Sequence, residues 1–238
     1  MYHRPSTRVP TTATLVGSLV LLLLCRLAQA VPVQVTTRTA LGANDMIAWA
    51  QLGTDYFVPT LSPTAVTSQL GGWATVENVA GSPLYADRQG PDAPWHGNFA
   101  PGDFLVYNGP QFGSVAAPVR LTFAQPVAGV GAQIGVNAFD YPFVAELKLF
   151  DGTDALIGDF LVHGFAAATT DNSAVFLGAW DSEAAIQRAE FSVPTFNDFA
   201  LNQVSLVTTP EPGTLLLFTT GGLALLGYGR RRGQRPTA

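Results

Sequence analysis

Read for alternation between apolar and polar positions, the chain divides into short segments of period two separated by turn-forming residues. Residues 31–37 alternate through Val31, Val33 and Val35. Residues 73–79 put Trp73, Thr75, Glu77 and Val79 on one face of a strand, and a short strand is expected over Phe104, Leu105, Val106 and Tyr107. Beyond Pro118 the pattern sharpens: Val119, Leu121 and Phe123 alternate with Arg120 and Thr122, and Val130, Ala132, Ile134 and Val136 form the next series. Phe143, Ala145, Leu147 and Leu149 share a face, with Glu146 and Lys148 on the other. Asp151-Gly152-Thr153-Asp154 then turns the chain into residues 155–162, a hairpin in which Gly152 is free to take positive φ. Strands over residues 173–179, 187–193 and 199–207 complete the series. Residues 44–53 fit either a short helix or a covering segment, and Pro59 and Pro63 impose a loop. The Gly- and Pro-rich interval 81–118 excludes a long helix, while Trp95, Phe99 and Phe104 give it apolar groups to bury. About nine or ten short strands with turns between them predict an all-β protein, a β-sandwich of jelly-roll type.

Two apolar runs at the ends of the chain break this pattern. Arg4 and Arg8 precede an apolar stretch over residues 15–24, and Ala28 and Ala30 carry the small-residue spacing of a secretory cleavage site. Residues 1–30 therefore read as a signal peptide, handed to the secretion machinery and cut by signal peptidase after Ala30. Arg26, between the apolar core and that site, keeps uncleaved retention as an alternative, and bulky Leu24 before Cys25 argues against a lipidation site. At the other end, residues 213–229 are 17 uncharged positions. As a helix they would extend roughly 26 Å, slightly short of a hydrocarbon core of about 30 Å. Arg230, Arg231 and Arg232 would hold that end in the cytoplasm and leave the upstream domain outside. Pro210 and Pro212 flank Glu211 and remove two backbone donors, so this segment should be extended and unpaired. The division is thus a signal peptide at 1–30, a β-sandwich domain at 31–208, and a tail at 209–238 with a membrane helix over about 214–229.

This order of proline motif, short apolar helix and basic cluster resembles the PEP-CTERM sorting signal of Gram-negative bacteria, whose carriers are processed by the membrane peptidase exosortase. The resemblance implies that Pro210, Glu211 and Pro212 are the recognition motif, that residues 215–228 are a transient anchor, and that Arg230, Arg231 and Arg232 are the stop. It implies release to the cell surface or extracellular matrix and association with exopolysaccharide. A membrane anchor that is never cut is the alternative. Thr209 and the six-residue extension after the arginines depart slightly from the pattern. The closing segments, 174–179 and 197–204, look like the final strands of the lectin-like sandwiches common among PEP-CTERM proteins.

Charge and composition narrow the partners. The only cysteine, Cys25, leaves with the leader, so the mature domain has neither disulfide nor thiol chemistry. Between residues 31 and 208, five cations (Arg38, Arg88, Arg120, Lys148, Arg188) face 16 carboxylates, a net charge of 5 − 16 = −11 that the whole-chain value of −5 conceals. Such a domain repels nucleic acid, which is not an expected partner.

The search for chemistry returns little. His96 and His163 are the histidines left after the leader, neither has a neighbour at metal-ligand spacing, and no zinc-protease, nucleophile-elbow or Ser-x-x-Lys motif is present. No catalytic residue, metal ligand or cofactor is assigned, and an enzyme is not expected. His163 reads as a half-buried structural histidine. Trp95 and His96, followed by Gly97 and Asn98, place an aromatic beside hydrogen-bonding groups as a sugar site would, against the plainer reading of an aromatic plug beneath a loop. Asp151-Gly152-Thr153-Asp154 is the beginning of a calcium site or an ordinary turn. Three functions follow in order: a non-enzymatic surface or matrix protein, a carbohydrate-binding module, and a polysaccharide hydrolase, which would need two carboxylates about 5 to 10 Å apart.

Overall fold

Alternation becomes strand pairing in the computed structural model, which describes residues 31–55, 57–90, 98–109, 116–167 and 169–209. Fifteen strands, numbered in chain order, form two antiparallel sheets among these residues. Sheet A runs β1 (Val33–Val35), β12 (Val175–Trp180), β9 (Gly129–Gly135), β14 (Phe199–Leu201), β7 (Phe104–Asn108), β6 (Leu84–Arg88) and β3 (Val58–Thr60). Beside β9 also lies β15 (Val204–Val207), and β2 (Asp45–Ile47) pairs with β15. Sheet B runs β11 (Leu156–Ala166), β10 (Tyr141–Phe150), β13 (Ile186–Ser192), β8 (Val119–Val127), β5 (Trp73–Asn78) and β4 (Thr64–Thr67). The β-sandwich read from the alternation is therefore what forms.

The inner faces supply the core. Val130, Ala132 and Ile134 of β9 and Leu177 of β12 join Leu121 of β8, Leu147 and Leu149 of β10 and Phe191 of β13, all fully buried. Two buried amides cross between the sheets: Asn78 Nδ2 of β5 donates to Asn108 Oδ1 of β7 at 2.5 Å, satisfying polar groups that could not otherwise stay dry. The indole of Trp49, also fully buried, donates to the Asn202 carbonyl at 2.9 Å and so ties a 3-10 turn (Trp49–Leu52) to sheet A.

Several elements differ from the sequence pattern, each for a physical reason. Residues 44–53, left open between helix and cover, are β2 followed by that 3-10 turn. A one-turn helix α1 (Arg38–Leu41), capped by Thr37 Oγ1, follows β1. The loop expected around Pro59 and Pro63 contains two short strands, β3 and β4, each the outermost strand of its sheet; Pro59 is tolerated within β3 because an edge strand can turn a missing N–H away from the ladder, and Pro63 precedes β4. In β5 the buried face is Ala74, Val76 and Asn78, leaving Trp73 and Thr75 exposed on the other. Strand β6 had no alternation to reveal it, because Leu84 and Ala86 on one face and Asp87 on the other are all buried. The single strand expected over 199–207 is two, broken at Asn202 and Gln203, where Asn202 turns its carbonyl to Trp49. In the β10–β11 turn the positive φ falls on Asp154 (66°), not on Gly152.

Candidate functional site

The first site of interest is where the sandwich ends. Strand β15 lies against β9, and one side chain holds the residue that follows it: Asn44 Nδ2 donates to the Thr208 carbonyl at 2.9 Å, while the Thr208 N–H donates to Asn44 Oδ1 at 2.8 Å. The amide thus imitates the two-way exchange of a neighbouring strand. The backbone of Asn44 also donates to the Leu206 carbonyl at 3.0 Å. Beside this clamp, Leu206, Thr208 and Thr209 line a cavity of about 290 Å³ with Ile47, Leu70 and Trp73. Asp45 lines it as well, 6 % exposed; its Oδ1 accepts from the Met46 and Leu70 N–H groups, and its Oδ2 has no hydrogen-bond partner among the described residues. Pro210, Glu211, Pro212, the span over 214–229, Arg230, Arg231 and Arg232 lie outside the described residues, as do Ala28 and Ala30. Among the described residues no helix is long and apolar enough to cross a membrane.

The second site lies on the outer face of sheet A. Trp95 and His96 fall outside the described residues, but both ends of their loop are fixed. The Gln89 N–H donates to the Asp103 carbonyl at 2.8 Å, and Asn98 Oδ1 and Nδ2 bond the Ala167 N–H and Ser173 Oγ at 2.7 Å each. Phe99, fully buried, packs on Leu105, Tyr107 and Ala200, the outward-facing residues of β7 and β14, as a second small core. Next to it the Tyr85 ring is tilted against Tyr107 at 6.1 Å, and Phe57 meets Tyr107 edge-on at 5.9 Å.

Two carboxylates border these aromatics. The Tyr107 hydroxyl donates to Asp198 Oδ2 at 3.2 Å. Asp87, 1 % exposed, accepts at Oδ1 from the Arg88 N–H at 2.7 Å, and its Oδ2 has no partner among the described residues. Burial raises both carboxyls above the usual range; the Arg88 N–H opposes this at Asp87, and the Asn137 N–H and the Tyr107 hydroxyl oppose it at Asp198. Burial, then the facing carboxylates, pushes the Tyr107 phenol up in turn. Perturbed acids beside aromatics are a signature of functional sites as well as of closed polar clusters. Asp87 and Asp198 are 1 % and 8 % exposed, so neither offers an open face to a substrate.

The remaining sequence candidates resolve individually. Asp151 Oδ1 accepts from the Thr153 N–H, the Thr153 hydroxyl and the Ala155 N–H at 2.8, 2.7 and 3.0 Å, bonds that hold its carboxyl below the usual range. Asp154 pairs with Arg188. Asp151-Gly152-Thr153-Asp154, read as an ordinary turn or the beginning of a calcium site, is a turn whose two carboxylates have partners within the chain. His163, expected to be half-buried, is exposed on β11. Asn44, Asp87, Tyr107 and Asp198 carry no motif; Asn44 meets Thr208 and Tyr107 meets Asp198 across more than 90 positions, and Asp87 is marked only by its burial, none of which a local pattern encodes.

Residues 208–232 match the PEP-CTERM protein-sorting motif. No curated protein matches the chain. Among solved structures, a DUF4465 family protein from Bacteroides caccae ATCC 43185 is 10% identical with a TM-score of 0.41, over 70% of this chain and 100% of that one. CsCBM6-3 from Clostridium stercorarium, solved with cellobiose, is 10% identical with a TM-score of 0.22, over 66% and 98%. The CBM22-1 xylan-binding domain of Paenibacillus barcinonensis Xyn10C is 10% identical with a TM-score of 0.23, over 66% and 100%. Likenesses this distant carry no function to the chain, whereas the sorting motif marks it for export and for C-terminal anchoring during processing by exosortase. With that motif beginning at Thr208, the residue that Asn44 clamps, the chain is a PEP-CTERM domain-containing protein.

Proposed function

We propose that the protein is a non-enzymatic component of the cell surface or extracellular matrix. It is exported by its signal peptide, parked at the membrane by residues 214–229, and cut by exosortase after recognition of Pro210, Glu211 and Pro212. It then associates with exopolysaccharide. The observation that carries this reading is the sorting motif starting at the clamped Thr208, which puts Pro210 two residues beyond the Asn44 clamp. A proline segment of the extended kind the sequence leads one to expect would give a peptidase a grip there without unfolding β15. The test compares mass and fractionation of the protein in strains with and without exosortase. The expected result is a shortened, released product only when exosortase is present. A full-length chain that stays in the membrane in both strains would overturn the reading.

A second reading, a carbohydrate-binding domain, is favoured by the exposed Phe57 ring and the half-buried Tyr85 ring, both packed against buried Tyr107, together with the Trp95 and His96 of the sequence. Aromatic faces stack on sugar rings while nearby polar groups select their hydroxyls. Glycan-array binding that disappears in Trp95→Ala with the fold intact would support it, and indifference to every glycan would remove it.

A further inference from the structure

Sheet edges expose unpaired backbone groups, and proteins blunt them by keeping edge strands short or placing proline or lysine on them. Four of the five edge strands among the described residues conform: β1, β2 and β3 have three residues each, β3 includes Pro59, and β4 has four. The fifth, β11, has 11 residues, pairs with β10 alone among the described residues, and contains neither proline nor lysine. Leu161 and Phe165 on it are 55 % and 54 % exposed.

A row of charges leads to this edge. In strand register, Glu77 of β5 stands opposite Arg120 of β8, Arg120 opposite Glu190 of β13, Glu190 opposite Lys148 of β10, and Lys148 opposite Asp159 of β11. The signs alternate across five strands and stop at a carboxylate, so the next strand outward should offer a donor opposite Asp159. The sequence of β11 contains that donor. Read in both directions from Leu161, the strand pairs Phe160 with Val162, Asp159 with His163, and Gly158 with Gly164. Each pair is chemically matched.

The backbone phase agrees. Leu161 faces Glu146 across the β10–β11 pair, yet its carbonyl accepts from the Gln34 side chain at 2.7 Å, so residues 159, 161 and 163 direct their backbone groups to the open edge. A twofold axis at Leu161 then lets two copies exchange N–H···O=C bonds at these positions. We infer that β11 is a self-recognition edge: its occupant is the β11 of a second copy of this chain, antiparallel and centred on Leu161, with Asp159 of each copy against His163 of the other. Two six-stranded sheets become one of twelve, and the Gln34 side chain yields the Leu161 carbonyl to the partner's N–H.

The test is analytical ultracentrifugation of the full chain in mild detergent over a concentration series. The wild type should form a concentration-dependent dimer. Leu161→Lys, at an exposed position, should be monomeric throughout while keeping the wild-type circular dichroism. His163→Asp, which sets carboxylate against carboxylate at two symmetric places, should weaken the dimer on the order of tenfold. Adding Asp159→His to it should restore association by exchanging the two roles. A wild-type monomer at every concentration would overturn the proposal. So would a dimer indifferent to Leu161→Lys, or an exchange variant no tighter than His163→Asp alone.

Discussion

On the outer face of sheet B, Arg120 stands between Glu77 and Glu190 at 3.0 and 2.8 Å, its side chain 27 % exposed and that of Glu77 28 %. On the outer face of sheet A, Asp87 and Asp198 are buried, and neither forms an ion pair among the described residues. The same sandwich therefore treats charge in two ways, and access to water separates them. Sheet B faces solvent, where ions cost little to keep and pairing them contributes little. Sheet A is roofed by the segment that brings in Phe99, so a carboxylate beneath it loses hydration and its pKa rises. A roof built on apolar contacts should behave as a second core, and a bare face should behave as surface.

The largest expected effect tests that statement at one aromatic on each face. Phe99→Ala removes the ring filling the space over Leu105, Tyr107 and Ala200 and should cost about 3 kcal/mol, as deletion of a buried phenylalanine does. Trp73→Ala, at a side chain 62 % exposed on sheet B, should change stability by about 0.5 kcal/mol or less. Urea denaturation measures both. Equal costs would mean that the outer face of sheet A is not a core.

Whether the sequence announced each face depends on the same distinction. Sheet B is legible because a strand such as β10 has one dry face and one wet: Phe143, Ala145, Leu147 and Leu149 against Glu146 and Lys148 are a direct record of burial. Sheet A is covered on both faces near β6, so Leu84, Ala86 and Asp87 are all buried and alternation disappears. The sorting tail was legible for another reason, since its proline motif, apolar run and arginines are contiguous. The Asn44 clamp and the Tyr107–Asp198 contact join residues 164 and 91 positions apart, and only the completed sheet brings them together.

A smaller effect sharpens the contrast through pH. Asp87 has a folded pKa raised by burial, so its charged form is penalised in the folded state. That penalty is fully present above the folded pKa and vanishes as pH falls through it to below the ordinary carboxylate value of about 3.9. Asp87→Asn keeps the shape and removes the charge, and should stabilise the domain by about 1 kcal/mol at neutral pH. The advantage should shrink as pH falls through that window, and denaturation curves at neutral and acidic pH measure it. A variant less stable than wild type at neutral pH would show that the carboxylate has a partner worth more than its burial costs.

The smallest effect belongs to the face that water reaches. Glu77→Gln preserves the shape of its side chain and an acceptor for Arg120 but removes one charge from a pair with both members about a quarter exposed. The expected loss is about 0.5 kcal/mol, because Arg120 keeps Glu190 and solvent replaces much of the lost attraction. In roughly 1 M salt, where screening acts over about 3 Å, the loss should diminish further. The salt dependence is the discriminating readout. On a solvated face the difference between variant and wild type shrinks with salt. On a face as dry as the one around Asp87, screening ions could not approach and the difference would persist. A loss that exceeded about 2 kcal/mol and ignored salt would put Glu77 in the class of desolvated charges, for which removing one partner is strongly destabilising. It would also erase the difference between the two faces.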